Sequence, residues 1–120
     1  MKNVLIIEDD KLISSLVRFR LNKDGYNVTT VDDGIKGMNA IDTTNPDLII
    51  TDVMIPFKNG IEIINYSKKV NPNVPIIVLS SLGEEESTVM EAFTLGASDF
   101  VPKPFNPNEL AIRVQRLINN

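Results

Sequence analysis

The 120-residue sequence predicts an α/β fold, a doubly wound parallel sheet of five strands with five helices packed on its faces. Three observations carry that prediction. The runs Val4-Leu5-Ile6-Ile7, Leu48-Ile49-Ile50 and Ile76-Ile77-Val78-Leu79 are apolar without alternation, which reads as strands buried on both faces, as parallel strands are. Amphipathic segments long enough for helices separate the strands throughout. The apolar runs also end in chemistry: Glu8-Asp9-Asp10 after the first, Asp52 after the central one, Ser80-Ser81 after the fourth, and Lys103 after Phe100-Val101-Pro102. Open parallel sheets place their ligand crevices outside the carboxyl ends of their strands, so these groups are expected along one edge.

Taken in order, the first strand covers Val4 to Ile7, and Asp10 is a good N-cap for the helix that follows. Leu12, Ile13, Leu16, Val17 and Phe19 are expected to mark its apolar face, with Arg18, Arg20 and Lys23 off it. Asp24-Gly25 ends that helix, and Tyr26 to Val31 alternates like a more exposed strand. Asp32-Asp33-Gly34 turns into a weak helix containing Ile35, Met38 and Ile41. Asn45-Pro46 leads into the central strand, opened by Asp47 and closed by Asp52. A loop over 53–58 precedes a helix that starts at Asn59-Gly60 and carries Ile61, Ile63, Ile64 and Tyr66. Asn71-Pro72-Asn73 turns into the fourth strand. Gly83 with Glu84, Glu85 and Glu86 opens the next helix, where negative charge suits the dipole; Leu95-Gly96 ends it. Asn106-Pro107-Asn108-Glu109 combines a cap, a proline at the first helical position and an acid at N3. Leu110, Val114, Leu117 and Ile118 then form the buried stripe of the last helix, and Ile112 points to its opposite side. No linker, repeat or low-complexity segment interrupts this pattern, so residues 1–120 read as one domain.

Composition narrows the function. A formal net charge of −4 argues against sequence-independent binding to nucleic acid. Without cysteine there is no disulfide framework and no thiolate metal site; without histidine there is no histidine nucleophile, base or metal ligand. No apolar run approaches the ~20 residues of a membrane span. Met1-Lys2-Asn3 enters a strand directly, without a signal-peptide pattern, so a cytoplasmic location with no membrane anchor is expected.

With the first and third strands as neighbours, Glu8, Asp9 and Asp52 would share a few ångströms of space. Two carboxylates ~4 Å apart repel by about 4 kcal/mol at an effective dielectric near 20. Three therefore coexist only with protons, a lysine or a metal ion. Oxygen donors alone suit a hard ion, Mg2+ or Mn2+. A carboxylate beside such an ion can accept a phosphoryl group as an acyl phosphate, and the transferring group then needs cations and donors on its oxygens. Lys103 and the Ser80 hydroxyl are the right types at the right edge. Singly, such residues are turn, cap or solvated groups, and Asp10, Asp32, Asp33 and Glu84 to Glu86 are read that way. The joint placement at three strand ends, with a lysine after the fifth, favours a site.

These same stretches carry a resemblance that spans essentially the whole chain. "IIEDDKLI", "DLIITDVMIPFKNG", "PIIVLSS" and "GASDFVPKPF" resemble, in order, the segments of a receiver domain of two-component response regulators. The resemblance implies a flavodoxin-like sheet in the order 2-1-3-4-5. Its site residues would be Asp52 as phosphoacceptor, Ser80 and Lys103 on the phosphoryl group, and Phe100 as the switch aromatic. It further implies Mg2+ (or Mn2+) held by Asp9, Asp52 and the Met54 backbone carbonyl, with Glu8 acting through water, and a cis bond between Lys103 and Pro104.

The implied function is that of a signalling module and not an enzyme. A sensor histidine kinase or histidine phosphotransfer protein would supply the phosphoryl group, since the chain has no histidine of its own. Switching would alter the face of the fourth helix, fifth strand and fifth helix, through which a phosphorylation-dependent homodimer would form, with Asp99 and Arg113 as one of its charge pairs. Asn59 stands where the family commonly has an acid, Ile55 where it commonly has methionine, and the segment from Ser80 to Gly96 is slightly long. Met54 and Leu82, two residues beyond Asp52 and Ser80, offer no group to orient an attacking water, so self-dephosphorylation should be slow. The rivals fit less well. A metal-dependent phosphohydrolase would carry its nucleophile on the first strand, and a flavodoxin-like flavin carrier needs a phosphate loop where Glu8-Asp9-Asp10 stands. A purely structural adaptor would not need the full set.

Overall fold

Because neighbouring apolar strands can satisfy their backbone groups only with one another, the five runs assemble side by side. The computed structural model describes residues 1–55, 57, 59–81 and 86–119, the side chains of 86–89 excepted. Strands β1 (Asn3–Ile7), β2 (Asn27–Val31), β3 (Leu48–Asp52), β4 (Ile76–Ser80) and β5 (Asp99–Pro102) form one parallel sheet in the order β2-β1-β3-β4-β5. The helices between them are α1 (Lys11–Lys23), α2 (Gly34–Thr44), α3 (Gly60–Val70), α4 (Glu86–Thr94) and α5 (Pro107–Ile118). Both the strand order and the alternation are those expected.

The period-2 pleat divides each strand between two cores. Leu5, Ile7, Ile49, Ile76 and Val78 meet Ala40 and Ile41 of α2, Ile63 and Ile64 of α3, and Ala92 of α4. Val4, Ile6, Leu48, Ile50, Ile77, Leu79 and Val101 meet Val17 and Leu21 of α1 and Leu110, Ala111, Val114 and Ile118 of α5. Burial of β3 and β4 at every position is what their unalternating runs require.

Asp10, Asp33, Asn59 and Asn106 cap α1, α2, α3 and α5 through side-chain oxygens that accept backbone N–H groups. The start of α4 was expected from Gly83; Gly83, Glu84 and Glu85 lie outside the described residues, as do Pro56 and Lys58 of the loop after β3 and Leu82 after β4.

Two helix faces differ from expectation. The sheet takes Ile13, Val17 and Leu21 of α1, while Leu12, Leu16 and Phe19 stand 70%, 50% and 67% exposed. At 100° per residue these are two adjacent stripes, and one sheet face covers only one of them. On α2, Ile35 points to solvent and the buried positions are Gly34, Gly37, Ala40 and Ile41. Small residues let this helix come close: a Cβ on Gly37 would stand 2.7 Å from Cδ1 of Ile7. The stripe of α5 is as expected, with Ala111 added and Leu117 at its edge.

Candidate functional site

The register of the sheet brings the acids together. Ile7 of β1 pairs with Thr51 of β3, so the residues that follow, Glu8 and Asp52, stand side by side at the strand ends. The Glu8 N–H continues the ladder by donating to the Val31 carbonyl at 3.0 Å. One carboxylate oxygen from each of Glu8, Asp9 and Asp52 lies within 4.8 Å of the others. Glu8 and Asp52 are buried and Asp9 is exposed.

Lys103 arrives from the far side of the sheet. Its N–H donates to the Ser80 carbonyl at 2.6 Å, which continues the pairing of β4 with β5, and the bond to Pro104 is cis. The ammonium bridges both buried acids, with Nζ 2.7 Å from Glu8 Oε1 and 2.5 Å from Asp52 Oδ2. Burial pushes the Glu8 carboxyl up to about 7, with the Asp52 charge adding to it and Lys103 opposing. Burial alone would lower the Lys103 pKa, but its hydrogen bond to Asp52 and its pairing with Glu8 outweigh that and raise it.

One ammonium among three clustered carboxylates leaves the pocket short of positive charge. Glu8 Oε1 is sealed from solvent and, despite the nearby ammonium, lacks a well-aligned hydrogen-bond donor. An all-oxygen donor set with an under-satisfied buried oxygen fits a hard divalent cation such as Mg2+.

The remaining expected residues line the same edge. Ser80 closes β4 one position beyond Leu79, the register partner of Asp52. Its hydroxyl stands 3.5 Å from the Ser81 carbonyl, too long a contact to fix its direction. The Met54 N–H points to Asp52 Oδ1 at 3.4 Å, which places the start of the loop against the carboxylate. Phe100 sits half-buried on β5, paired in register with Val78. Arg113 bonds Asp99 through Nη1 (2.9 and 2.8 Å) and Glu109 through Nη2 (3.1 Å), all within the chain.

One contributor reads in the sequence only as a helix start. The Gly60 N–H donates to the Val53 carbonyl at 2.8 Å, and a Cβ there would stand 2.6 Å from the Asp52 carbonyl oxygen. Glycine therefore lets α3 begin against the backbone that carries Asp52. Asn59-Gly60 signals a helix start, and no local feature of the sequence shows which strand that start would touch.

The geometry has counterparts in known proteins. The family model for the response regulator receiver domain matches residues 4–115. The chain is 35% identical over 117 residues to the alkaline phosphatase synthesis transcriptional regulatory protein PhoP of Bacillus subtilis, covering 98% of the chain and 48% of that protein. It is 39% identical over 112 residues to the transcriptional regulatory protein KdpE of Staphylococcus aureus, covering 93% and 48%. It thus spans about half the length of these curated relatives. Among solved structures, the receiver domain of the Francisella response regulator 1452 superposes with a TM-score of 0.89 at 34% identity, covering 99% of this chain and 98% of that one. A putative response regulator from Chloroflexus aurantiacus gives 0.90 at 28%, also covering 99% and 98%. The family match spans β1 to α5, and the chain belongs to the response regulator receiver domains.

Proposed function

We propose that this receiver domain relays a signal by accepting a phosphoryl group on Asp52. The observation that carries this is the buried pair of Glu8 and Asp52, bridged by Lys103 and joined by Asp9, at the carboxyl edge of the sheet. An oxygen of Asp52 attacks phosphorus while the phosphorus–nitrogen bond of a donor phosphohistidine breaks and the imidazole leaves. Asp9, Asp52 and the Met54 carbonyl would hold a Mg2+ (or Mn2+), with Glu8 reaching it through water; when bound, the ion neutralises charge on the transferring oxygens. Lys103 holds the opposite side of the same group, and the Ser80 hydroxyl turns from its weak contact to donate to it. Met54 presents no polar side chain to steer water onto the acyl phosphate, so loss of the group is slow.

The donor is a separate protein, a sensor histidine kinase or histidine phosphotransfer protein. We place its helical docking segment on the exposed stripe of Leu12, Leu16 and Phe19. A groove of about 210 Å3 lined by Ile13, Leu16, Lys103, Pro104, Phe105 and Pro107 runs from that stripe to the site lysine. Partner and reaction thus meet on adjoining surfaces. No helix among the described residues is long and apolar enough to cross a membrane. The location that suits the proposed donor is the cytoplasm, beside the kinase's catalytic part.

The test is intact mass after incubation with acetyl phosphate and Mg2+. The wild type should gain one phosphoryl group and Asp52→Asn almost none; equal labelling of the two would remove the assignment.

A further inference from the structure

The contact that seats α3 also governs the chemistry of its own cap. Asn59-Gly60 is the only asparagine–glycine pair in the chain. Such a pair is prone to deamidation, because glycine presents its backbone nitrogen to the asparagine side chain with no side chain of its own in the way. Asn59 is exposed to water, while Gly60 is buried. In the folded chain that nitrogen is engaged, its N–H donating to the Val53 carbonyl at 2.8 Å. The carboxamide is engaged as well, with Oδ1 accepting the Glu62 N–H at 3.0 Å. The Asn59 backbone is extended at ψ 172° and must rotate before the side chain and the Gly60 nitrogen can close a ring.

We propose that Asn59 is a site of spontaneous deamidation whose rate is set by the Gly60–Val53 contact. The Gly60 nitrogen loses its proton to solvent base and bonds to Cγ of Asn59, and the carboxamide C–N bond breaks to release ammonia. Water then opens the cyclic imide at either carbonyl, leaving aspartate or isoaspartate, so the net change is water consumed and ammonia released. The folded chain reacts only from an opening in which both hydrogen bonds are broken, and its rate is the unfolded rate scaled by the open fraction. Two such bonds correspond to roughly 5- to 150-fold protection. The two products differ in consequence. Aspartate keeps the cap and adds a negative charge that the helix dipole favours. Isoaspartate lengthens the main chain where α3 starts, at a fit so close that even a Cβ on Gly60 would stand 2.6 Å from the Asp52 carbonyl oxygen. Labelling at Asp52 should therefore fall in the isoaspartate form, a consequence that rests on the phosphoacceptor assignment.

The test is peptide mapping by mass spectrometry, with enzymatic methylation to count isoaspartate, on wild type and Asn59→Ser aged at mildly alkaline pH. Each is aged folded, in urea well below the unfolding transition, and fully unfolded. Unfolded wild type should deamidate at Asn59, folding should slow the reaction by at least ~5-fold, and Asn59→Ser should show no change in that peptide. The folded rate should be the same with and without low urea, because a small opening exposes little surface. No reaction in the unfolded chain, or equal rates folded and unfolded, overturns the proposal. A folded rate that climbs with low urea as global unfolding does would credit the whole fold with the protection and overturn the role of the contact. Acetyl phosphate labelling reads the consequence: the isoaspartate fraction should label poorly and Asn59→Asp like fresh wild type. Equal labelling of these two would remove the consequence for Asp52 alone, and failure of fresh wild type to label would remove the phosphoacceptor assignment and leave the deamidation standing.

Discussion

At the scale of single residues, the decisive feature is that Lys103 does two tasks. It shields Asp52 and Glu8 from each other, yet it supplies one charge where two buried carboxylates and Asp9 gather. The shortfall appears as a proton on Glu8, whose pKa rises from 4.5 to about 7 through burial and the Asp52 charge, against Lys103. The sign of its effect on stability follows from linkage. Between those two values the folded chain holds a proton that the unfolded chain has released, so stability falls as pH rises from about 4.5 to about 7. Below that window both states are protonated and above it neither is. The change attributable to Glu8 should be at most ~3 kcal/mol at 1.36 kcal/mol per pKa unit. Mg2+ should offset it, adding more stability at pH 8 than at pH 5. In Asp9→Ala that Mg2+ increment should largely vanish, while the metal-free fold becomes no weaker, since one like charge is gone. Urea melts at pH 5 and pH 8, with and without Mg2+, read all three; a pH-independent Mg2+ effect would contradict the role given to Glu8.

At the scale of elements, α1 carries more apolar surface than the sheet can cover. Its Ile13, Val17 and Leu21 complete one core, and the neighbouring stripe of Leu12, Leu16 and Phe19 remains outside, next to Lys103. An apolar residue at the centre of a docking surface commonly contributes more than 1 kcal/mol to binding, whereas a substitution at an exposed helix position changes stability by about 0.5 kcal/mol or less. Leu16→Glu should therefore slow transfer from a phosphohistidine-bearing protein by about 10-fold. Labelling by acetyl phosphate, which needs no docking surface, should stay within about 2-fold of wild type. Comparing the two donors on one variant separates docking from chemistry, and equal loss with both would place Leu16 in the fold and not in the interface.

At the scale of the whole molecule, the proposed self-association on phosphorylation would rest on the surface formed by α5 and β5. Ile112 stands 58% exposed on the face of α5 turned away from the core. Arg113, expected to pair with Asp99 across a dimer, already holds Asp99 and Glu109 inside its own chain. An interface between copies would have to exchange those pairs, gaining little net charge energy at a half-exposed site. Any homodimer should consequently be weak and depend on the apolar centre at Ile112. Sedimentation velocity with beryllofluoride should show a concentration-dependent shift in wild type and none in Ile112→Glu. A wild type that stays monomeric over the accessible range would leave this face to a different partner.

The strands, the helix caps and the chemistry at the strand ends are legible in the order of the amino acids alone. An unalternating apolar run has one stable destination, the middle of a parallel sheet, and such a sheet sends its carboxyl ends to a common edge. That logic puts Glu8, Asp9, Asp52, Ser80 and Lys103 along that edge. It did not reach facts that depend on which elements touch. Leu12, Leu16 and Phe19 have the same composition as a core face, and only the limited width of the sheet leaves them outside. Gly60 reads as an ordinary helix start until α3 is seen against the Asp52 backbone. The Phe93–Phe100 pair and the closure of Arg113 on Asp99 join α4 and α5 to β5. Periodicity reports how each helix divides between apolar and polar, because that is a property of one helix. Which apolar stripe is covered, and which side chain answers another across the fold, is set by packing distances that only the assembled tertiary structure supplies.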